Sequence, residues 1–407
     1  MLTHRLSDKS GSFEIDVRTG VMDQGPASAD AASGFLIGAG GRSMDYRAAA
    51  LIHHQPGPGG GLFAGCTAGG TVFIRDFETA AEPERGAIRS ATPGEIRLRL
   101  NAAPNGNHYR LTLTALTSDG QILSTQNLPY PADRLIGNIA LVSHPGTSQN
   151  TARFWFRDWR LNGEKLEAHP DRVCGPILSV LYTAHRGLLK MTAQLMPLGA
   201  QESQTAELQI KQGRGWKTAA KSTIVPSGWA APFRIDKWKP GGDTEFRVRY
   251  LLKGPDGKAR PHDWTGTIKR DPIEKDNLVV ASLSCVQQID GTLTQNPTYR
   301  WKDRVWFPHA EMTRHIHRHH PDLFFFAGDQ IYEGNPTRVV RAPAEEAQLD
   351  YLYKWFLWCW SFGDLVRHMP CICIPDDHDV YHGNIWGMGG KASAPDDPAG
   401  LRGGYGM

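Results

Sequence analysis

Short runs of alternating apolar and polar residues fill residues 12–166, among them Gly70-Thr-Val-Phe-Ile-Arg75, Glu95-Ile-Arg-Leu-Arg-Leu100, His108-Tyr-Arg-Leu-Thr-Leu-Thr114 and Ala152-Arg-Phe-Trp-Phe-Arg157. Gly, Pro, Asn and Asp separate them. Alternation with period two puts successive side chains on opposite faces of a strand, and the frequent turns predict an antiparallel β-sandwich. A second series of strands is predicted over residues 176–270, including Leu189-Lys-Met-Thr-Ala-Gln-Leu, Glu207-Leu-Gln-Ile and Thr244-Glu-Phe-Arg-Val-Arg-Tyr-Leu-Leu252, before a linker at Asp271-Pro272. After Asp276 the pattern changes. Residues 277–285, 321–329 and 370–375 are near-continuous apolar runs, read as buried strands, and residues 306–320 and 347–368 read as helices between them. Strand, helix, strand, helix, strand is α/β layering.

A chain of 407 residues is too long for one core and predicts two or three domains. With 40% hydrophobic and 21% charged residues it is an ordered protein, and its 44 Gly and 27 Pro fit the turn-rich β regions. The formal net charge is +3 and Lys and Arg are scattered, so no nucleic-acid-binding footprint is present. The six cysteines (Cys66, Cys174, Cys285, Cys359, Cys371, Cys373) form neither a disulfide framework nor a CxxC zinc motif, and leave the redox compartment open. Residues 1–20 carry charges throughout and no apolar core, so no secretory signal is visible; localisation stays open, with export if the amino terminus is incomplete. The most apolar run, residues 355–360, is far short of a membrane span, and a soluble protein is predicted.

The candidate chemistry lies where the three apolar runs end. Each stops at a polar cluster: Ser284-Cys285-Val-Gln287, Gly328-Asp329-Gln-Ile-Tyr332-Glu333 and Asp376-Asp377-His378-Asp379. In parallel sheets ligands collect beyond the carboxyl ends of the strands, so the clusters are expected to converge. Carboxylates, an imidazole and a thiolate at one rim suit a pair of cations, which can activate water and clamp both ends of an in-line displacement at phosphorus. Each cluster alone is a weak signal, since Gly-Asp is a common turn and Asp-Asp-His-Asp could be a solvated loop.

Taken together, Ala-Ser-Leu-Ser-Cys285, Phe-Ala-Gly-Asp-Gln-Ile-Tyr-Glu333 and Pro-Asp-Asp-His-Asp-Val-Tyr-His-Gly-Asn-Ile-Trp-Gly387 resemble the alkaline-phosphatase-D-like (PhoD-like) branch of the calcineurin-type metallophosphatases, over residues 277–407. The resemblance implies hydrolysis of phosphate monoesters or diesters by a metal-bound hydroxide, with two or more metal ions, iron and calcium. It implies that Asp329 bridges the metals, that Cys285 and Tyr332 complete the shell of one, that Asp377 binds the other, and that His378 serves the leaving oxygen. Gln287, Glu333 and Asn384 lie close enough to the clusters to hold these groups in place. The superfamily's usual Asp-x-His opening is replaced by Ser284-Cys285 and its Gly-Asn-His-Asp/Glu by residues 376–379, as in the PhoD-like branch. Members continue with further histidines on later strands. This chain has none after His382 and ends in Gly403-Gly-Tyr-Gly-Met407, so a half-site, cut short in a loop, is expected.

The ending Phe-Arg-Asp-Trp-Arg-Leu-Asn-Gly-Glu-Lys-Leu166 resembles the closing strand of concanavalin-A-like (laminin-G-like) sandwiches, many of which bind glycans. No specific ligand set is visible, and Trp155 and Trp159 are read as core rather than sugar platforms. The predicted organisation is therefore a concanavalin-A/laminin-G-like sandwich (1–170), an immunoglobulin- or fibronectin-like sandwich (171–275) and the amino-terminal part of an α/β/β/α metallophosphatase domain (276–407). Its expected partner is a phosphate ester. The competing reading is a non-catalytic fragment that binds glycans or surfaces through its sandwiches.

Other residues receive plainer readings. His315 and His319, at i and i+4 among the histidines of residues 306–320, could hold zinc but lack the adjacent Glu of a metalloprotease, and a polar helix face is preferred. Cys371 and Cys373 share one strand face as small core residues. Trp355, Trp358 and Trp360 are read as the buried side of a helix, and Asp350, Asp364 and Asp379 as solvated or capping residues.

Overall fold

The computed structural model describes residues 3–22, 28–54, 57–79, 84–86, 94–146, 152–172, 174–254, 256–289 and 305–380. They form two compact units, one up to residue 172 and one from Cys174 onward. The protein is multidomain and mostly β.

The first unit packs a seven-stranded against a five-stranded antiparallel sheet. The alternation read in the sequence sets the two faces. Phe13, Ile15 and Val17 of strand Phe13–Val21, and Ile96, Leu98 and Leu100 of strand Ile96–Asn105, enter one core with Leu111 and Leu113. On the opposite face Asp16 accepts from Nε of Arg97 at 2.8 Å and of Arg99 at 3.0 Å, so the charges between the apolar positions pair across neighbouring strands. Strand Phe154–Gly163 pairs antiparallel with Phe13–Val21 at the edge of the five-stranded sheet. Trp159 packs partly against the core, whereas Trp155 is half-buried and carries the Arg157 guanidinium 5.3 Å over its ring.

The second unit opens with a three-stranded and a four-stranded antiparallel sheet spanning residues 177–268. Val180, Tyr182, Met191, Leu208, Phe246, Val248 and Tyr250 fill the space between them. The Tyr182 hydroxyl donates to the Thr267 carbonyl and accepts from the Lys269 amide, both at 2.9 Å, and so ties one sheet to the other.

The α/β layering belongs to this same unit. Strands β1 (Val280–Leu283), β2 (Leu323–Ala327) and β3 (Cys371–Ile374) run parallel in the order β1-β2-β3. Helix α1 (Ala310–Arg318) joins β1 to β2 and helix α2 (Ala344–Val366) joins β2 to β3. The first helix starts four residues later than predicted, because His309 adopts a left-handed conformation at φ 55° that a right-handed helix cannot contain, and Pro308 disfavours helical geometry at Phe307 before it. Trp358, Phe362, Leu365 and Val366 of α2 pack on Phe324, Phe326 and Cys371. Only that face of the sheet is covered among the described residues. Val280, Ile372 and Ile374 on the other face are 49%, 38% and 44% exposed, which corrects the reading of these runs as buried strands.

The tryptophan cluster divides. Trp355 stacks on Trp358 at 4.6 Å inside the core, while Trp360 faces Phe356 and Phe307 instead. The other end of α2 is fixed to the preceding sandwich: the Arg367 carbonyl accepts the Thr267 amide at 2.9 Å, and a Cβ at Gly266 would stand 2.2 Å from that carbonyl oxygen. Cys371 and Cys373 do share a face, with their sulfurs 3.6 Å apart. No helix among the described residues is long and apolar enough to cross a membrane.

His309 stacks on Phe362 at 5.9 Å, and burial lowers its pKa to about 4. Its Nε2 is buried without a partner among the described residues. Between that value and the ordinary one near 6.5 only the unfolded chain takes up the proton, so this contribution to stability is complete above about pH 6.5 and is lost as the pH falls towards 4. Urea unfolding from pH 7 to 4.5 is expected to show about 2 kcal/mol of acid loss that the His309→Asn variant lacks. Equal pH slopes in the two proteins would contradict this.

Candidate metal centre

Because β1, β2 and β3 are parallel and adjacent, their carboxyl ends lie along one edge of the sheet. Packing there is close enough to exclude a side chain at Gly328. With φ at +95°, a Cβ on that residue would lie 2.3 Å from Cβ of Asp376. The Gly328 carbonyl accepts from the Cys285 amide at 3.3 Å, so the ends of all three strands meet at this glycine. Cys285 and Asp329 themselves take left-handed conformations at φ 57° and 55°, unusual for residues with a Cβ and concentrated at functional sites.

These turns bring Asp329 beneath two protic side chains. Its Oδ2 accepts from the Cys285 thiol at 3.4 Å and from the Tyr332 hydroxyl at 3.3 Å. Ligand atoms of Asp329, Asp377 and His378 lie within 4.8 Å of one another. Asp329 and Asp377 are buried, at 6% and 5% exposure, whereas Cys285 is exposed and opens the cluster to solvent. Burial first, then the neighbouring Asp329 charge, raises the Tyr332 pKa well above the ordinary phenol value.

The donor set fits a cation. Oδ1 of Asp329 is buried and has no hydrogen-bond partner among the described residues, and none of their ion pairs brings Lys or Arg to Asp329. A buried carboxylate in that state is costly unless a positive charge completes it. Spacings of 3.3 and 3.4 Å between Oδ2 and its two donors also match those between neighbouring ligands at roughly 2.0–2.3 Å from one ion.

Residues behind the cluster hold it in place. Glu333, also buried, meets Nδ1 of His378 at 2.6 Å, and this bond, opposed by desolvation, raises the His378 pKa. The far nitrogen, Nε2, is then the one on the ring edge away from Glu333. Tyr332 and His378 rings lie 4.7 Å apart. From α2 the Tyr351 hydroxyl donates to the His378 carbonyl at 3.2 Å, and the Lys354 ammonium donates to the Glu333 carbonyl and to Oδ2 of Asp350. Gln287 sits two residues past Cys285 and donates its amide to the Cys285 carbonyl at 3.0 Å. Asn384 lies outside the described residues.

Two carboxylates read from the sequence as solvated or capping prove to be structural. Asp379 is half-buried and accepts three backbone amides: Asp329 at 2.8 Å and Asp376 at 2.9 Å through Oδ2, and Ile331 at 2.9 Å through Oδ1. It thereby fastens the loop after β2 to the loop after β3; desolvation raises its pKa and these bonds oppose the rise. Asp350 is half-buried, with its side chain 8% exposed against Lys354 at 2.5 Å, and also accepts the Val340 amide at 3.1 Å. Asp364 is 85% exposed, as expected. On α1, His315 stands 3.8 Å from Glu311 and His319 forms the helix C-cap; the clusters of three or more metal-ligating side chains among the described residues do not include this pair.

No family model matches the chain, and no curated protein matches it. Among solved structures, the metal-free form of lectin I-B4 from Griffonia simplicifolia is similar over 38% of this chain and 72% of the lectin chain, at 12% identity and a TM-score of 0.21. At that score the likeness bears on neither fold nor function.

Replacing Asp379 by Ala leaves three amides without their acceptor. The expected result is a loss of about 3 kcal/mol or more in chemical denaturation, with Asp379→Asn losing less because one oxygen remains to accept. Unchanged stability in Asp379→Ala would show that the two loops do not depend on this carboxylate.

Proposed function

We propose that the second unit carries the metal centre of a PhoD-like phosphohydrolase, within the amino-terminal part of an α/β/β/α domain, and that it hydrolyses phosphate monoesters or diesters. The observation that carries this reading is the buried Asp329 carboxylate, with one oxygen lacking a hydrogen-bond partner among the described residues and the other meeting a thiol and a phenol, beside Asp377 and His378. Such a set serves poorly as packing and well as a ligand cage.

Asp329 would serve both cations, Cys285 and Tyr332 would hold the first with it, and Asp377 the second. Thiolate and phenolate suit iron, and carboxylate oxygens suit calcium. Cations held there would supply charge for the phosphoryl oxygens and acidify water for attack on phosphorus. The chain's own residues do the rest. Glu333 fixes His378 through Nδ1, so that Nε2 can hold a proton for the leaving oxygen. Lys354 and Tyr351 keep that pair registered against the strand ends, and the exposure of Cys285 leaves an approach for substrate.

The test is metal content together with hydrolysis of p-nitrophenyl phosphate and bis-p-nitrophenyl phosphate by the full chain and its Asp329→Ala and His378→Gln variants. Wild-type protein is expected to bind iron or calcium stoichiometrically and turn over at least one ester. Asp329→Ala is expected to lose metal and at least about 100-fold in rate, and His378→Gln to keep metal but lose about 100- to 10,000-fold in kcat. Wild-type protein without metal or turnover would overturn the proposal.

A further inference from the structure

Far along the chain from the strand-end cluster, Lys165 occupies the two-residue turn between strands Phe154–Gly163 and Leu166–Ala168 of the first unit. It is only 2% exposed. Its backbone carbonyl accepts both the amide and the hydroxyl of Ser7, at 2.8 and 2.9 Å, which lays residues 7–11 against the turn. Gly11 packs so tightly there that a Cβ would come 2.7 Å from Cβ of Glu164, and its amide and carbonyl both bond to the Tyr109 hydroxyl. Lys165 is thus held in a cage built by three separate parts of the chain.

Within it the ammonium has two contacts among the described residues. It donates to the Lys9 carbonyl at 3.1 Å and lies 4.9 Å over the Tyr109 ring, and no carboxylate among the described residues forms an ion pair with it. An ammonium carries three donors, and burying its charge without a counter-charge is unfavourable. The residue also lines a cavity of about 560 Å³, whose wall includes Lys9, Arg42, Asn107 and His108. Two acids lie on that wall. Asp8 is bound to Arg42 at 3.1 Å, which leaves Asp133 against two lysines. The volume is that of a small-molecule site.

We propose that this cavity binds a small anion, seating a carboxylate or phosphate oxygen on the Lys165 ammonium. The anion supplies the missing counter-charge and takes up the donors that Lys9 leaves over. Tyr109 and the tied residues 7–11 hold the ammonium in position before the ligand arrives, so little order is lost on binding.

The experiment is calorimetric titration of the full chain with succinate, with its neutral isostere succinamide and with inorganic phosphate. Binding of succinate or phosphate without binding of succinamide is expected, and whichever anion responds identifies the oxygen group. Lys165→Met keeps the stem and removes the charge, and is expected to weaken that binding at least about 10-fold. Asn107→Asp places a negative charge on the exposed rim without touching the cage and is expected to weaken it as well. The proposal is overturned if neither anion binds, if succinamide binds as well as succinate, or if both variants bind like the wild type. Phosphate uptake that Asp329→Ala abolishes and Lys165→Met leaves intact belongs to the strand-end cluster and also counts against it.

Discussion

The contact between Gly328 and Asp376 fixes the candidate centre, because two chain segments can approach this closely only where one of them has no side chain. Everything that makes the cluster chemically unusual follows from that approach. It sets the end of β2 against the end of β3, puts Asp329 within reach of Asp377 and His378, and lets the single Asp379 carboxylate gather amides from both loops. Cys285 joins through its amide bond to the glycine's own carbonyl. A side chain at residue 328 would push these apart before any ligand was considered.

Electrostatically the site is built in two layers of opposite kind. The rear layer is closed: Asp379 is satisfied by backbone amides, Asp350 by Lys354 and the Val340 amide, and Glu333 meets His378. The front layer is open, since Asp329 keeps a buried oxygen without a hydrogen-bond donor among the described residues. A protein that needed only stability would gain by replacing such a carboxylate with an apolar group of similar volume. Spending rigid, satisfied groups to hold an unsatisfied one is the arrangement expected where a ligand supplies the last charge.

Much of this was legible in the sequence where periodicity speaks directly. The alternation of Phe13, Ile15 and Val17, or of Ile96, Leu98 and Leu100, yields strands with one buried face, and the apolar runs ending at Cys285, Asp329 and Asp377 locate the three parallel strand ends. What escaped has a common cause. Asp379 bonds to amides 48 and 50 residues away, and no local pattern encodes such partners. The Asp350–Lys354 pair looks like an ordinary surface i, i+4 couple until the helix is placed on the sheet, where both side chains are largely covered; its signal was two charges on an otherwise apolar helix face. Lys165, in an Asn-Gly-Glu-Lys stretch that reads as a solvent-exposed turn, is buried only because residues 7–11 fold over it. The open side of the parallel sheet was misread because a continuous apolar run does not say whether one face or two will be covered.

The central claim is that Cys285, at the end of β1, and Asp329, at the end of β2, hold one metal ion between them, and X-ray absorption at the edge of the metal bound by the full chain tests it most directly. A sulfur scatterer at about 2.3 Å, together with oxygen or nitrogen neighbours, is the expected result for wild-type protein, and in Cys285→Ser the sulfur should vanish while the lighter neighbours stay. A first shell of oxygen and nitrogen alone in the wild type, or a sulfur that survives the substitution, would contradict the account.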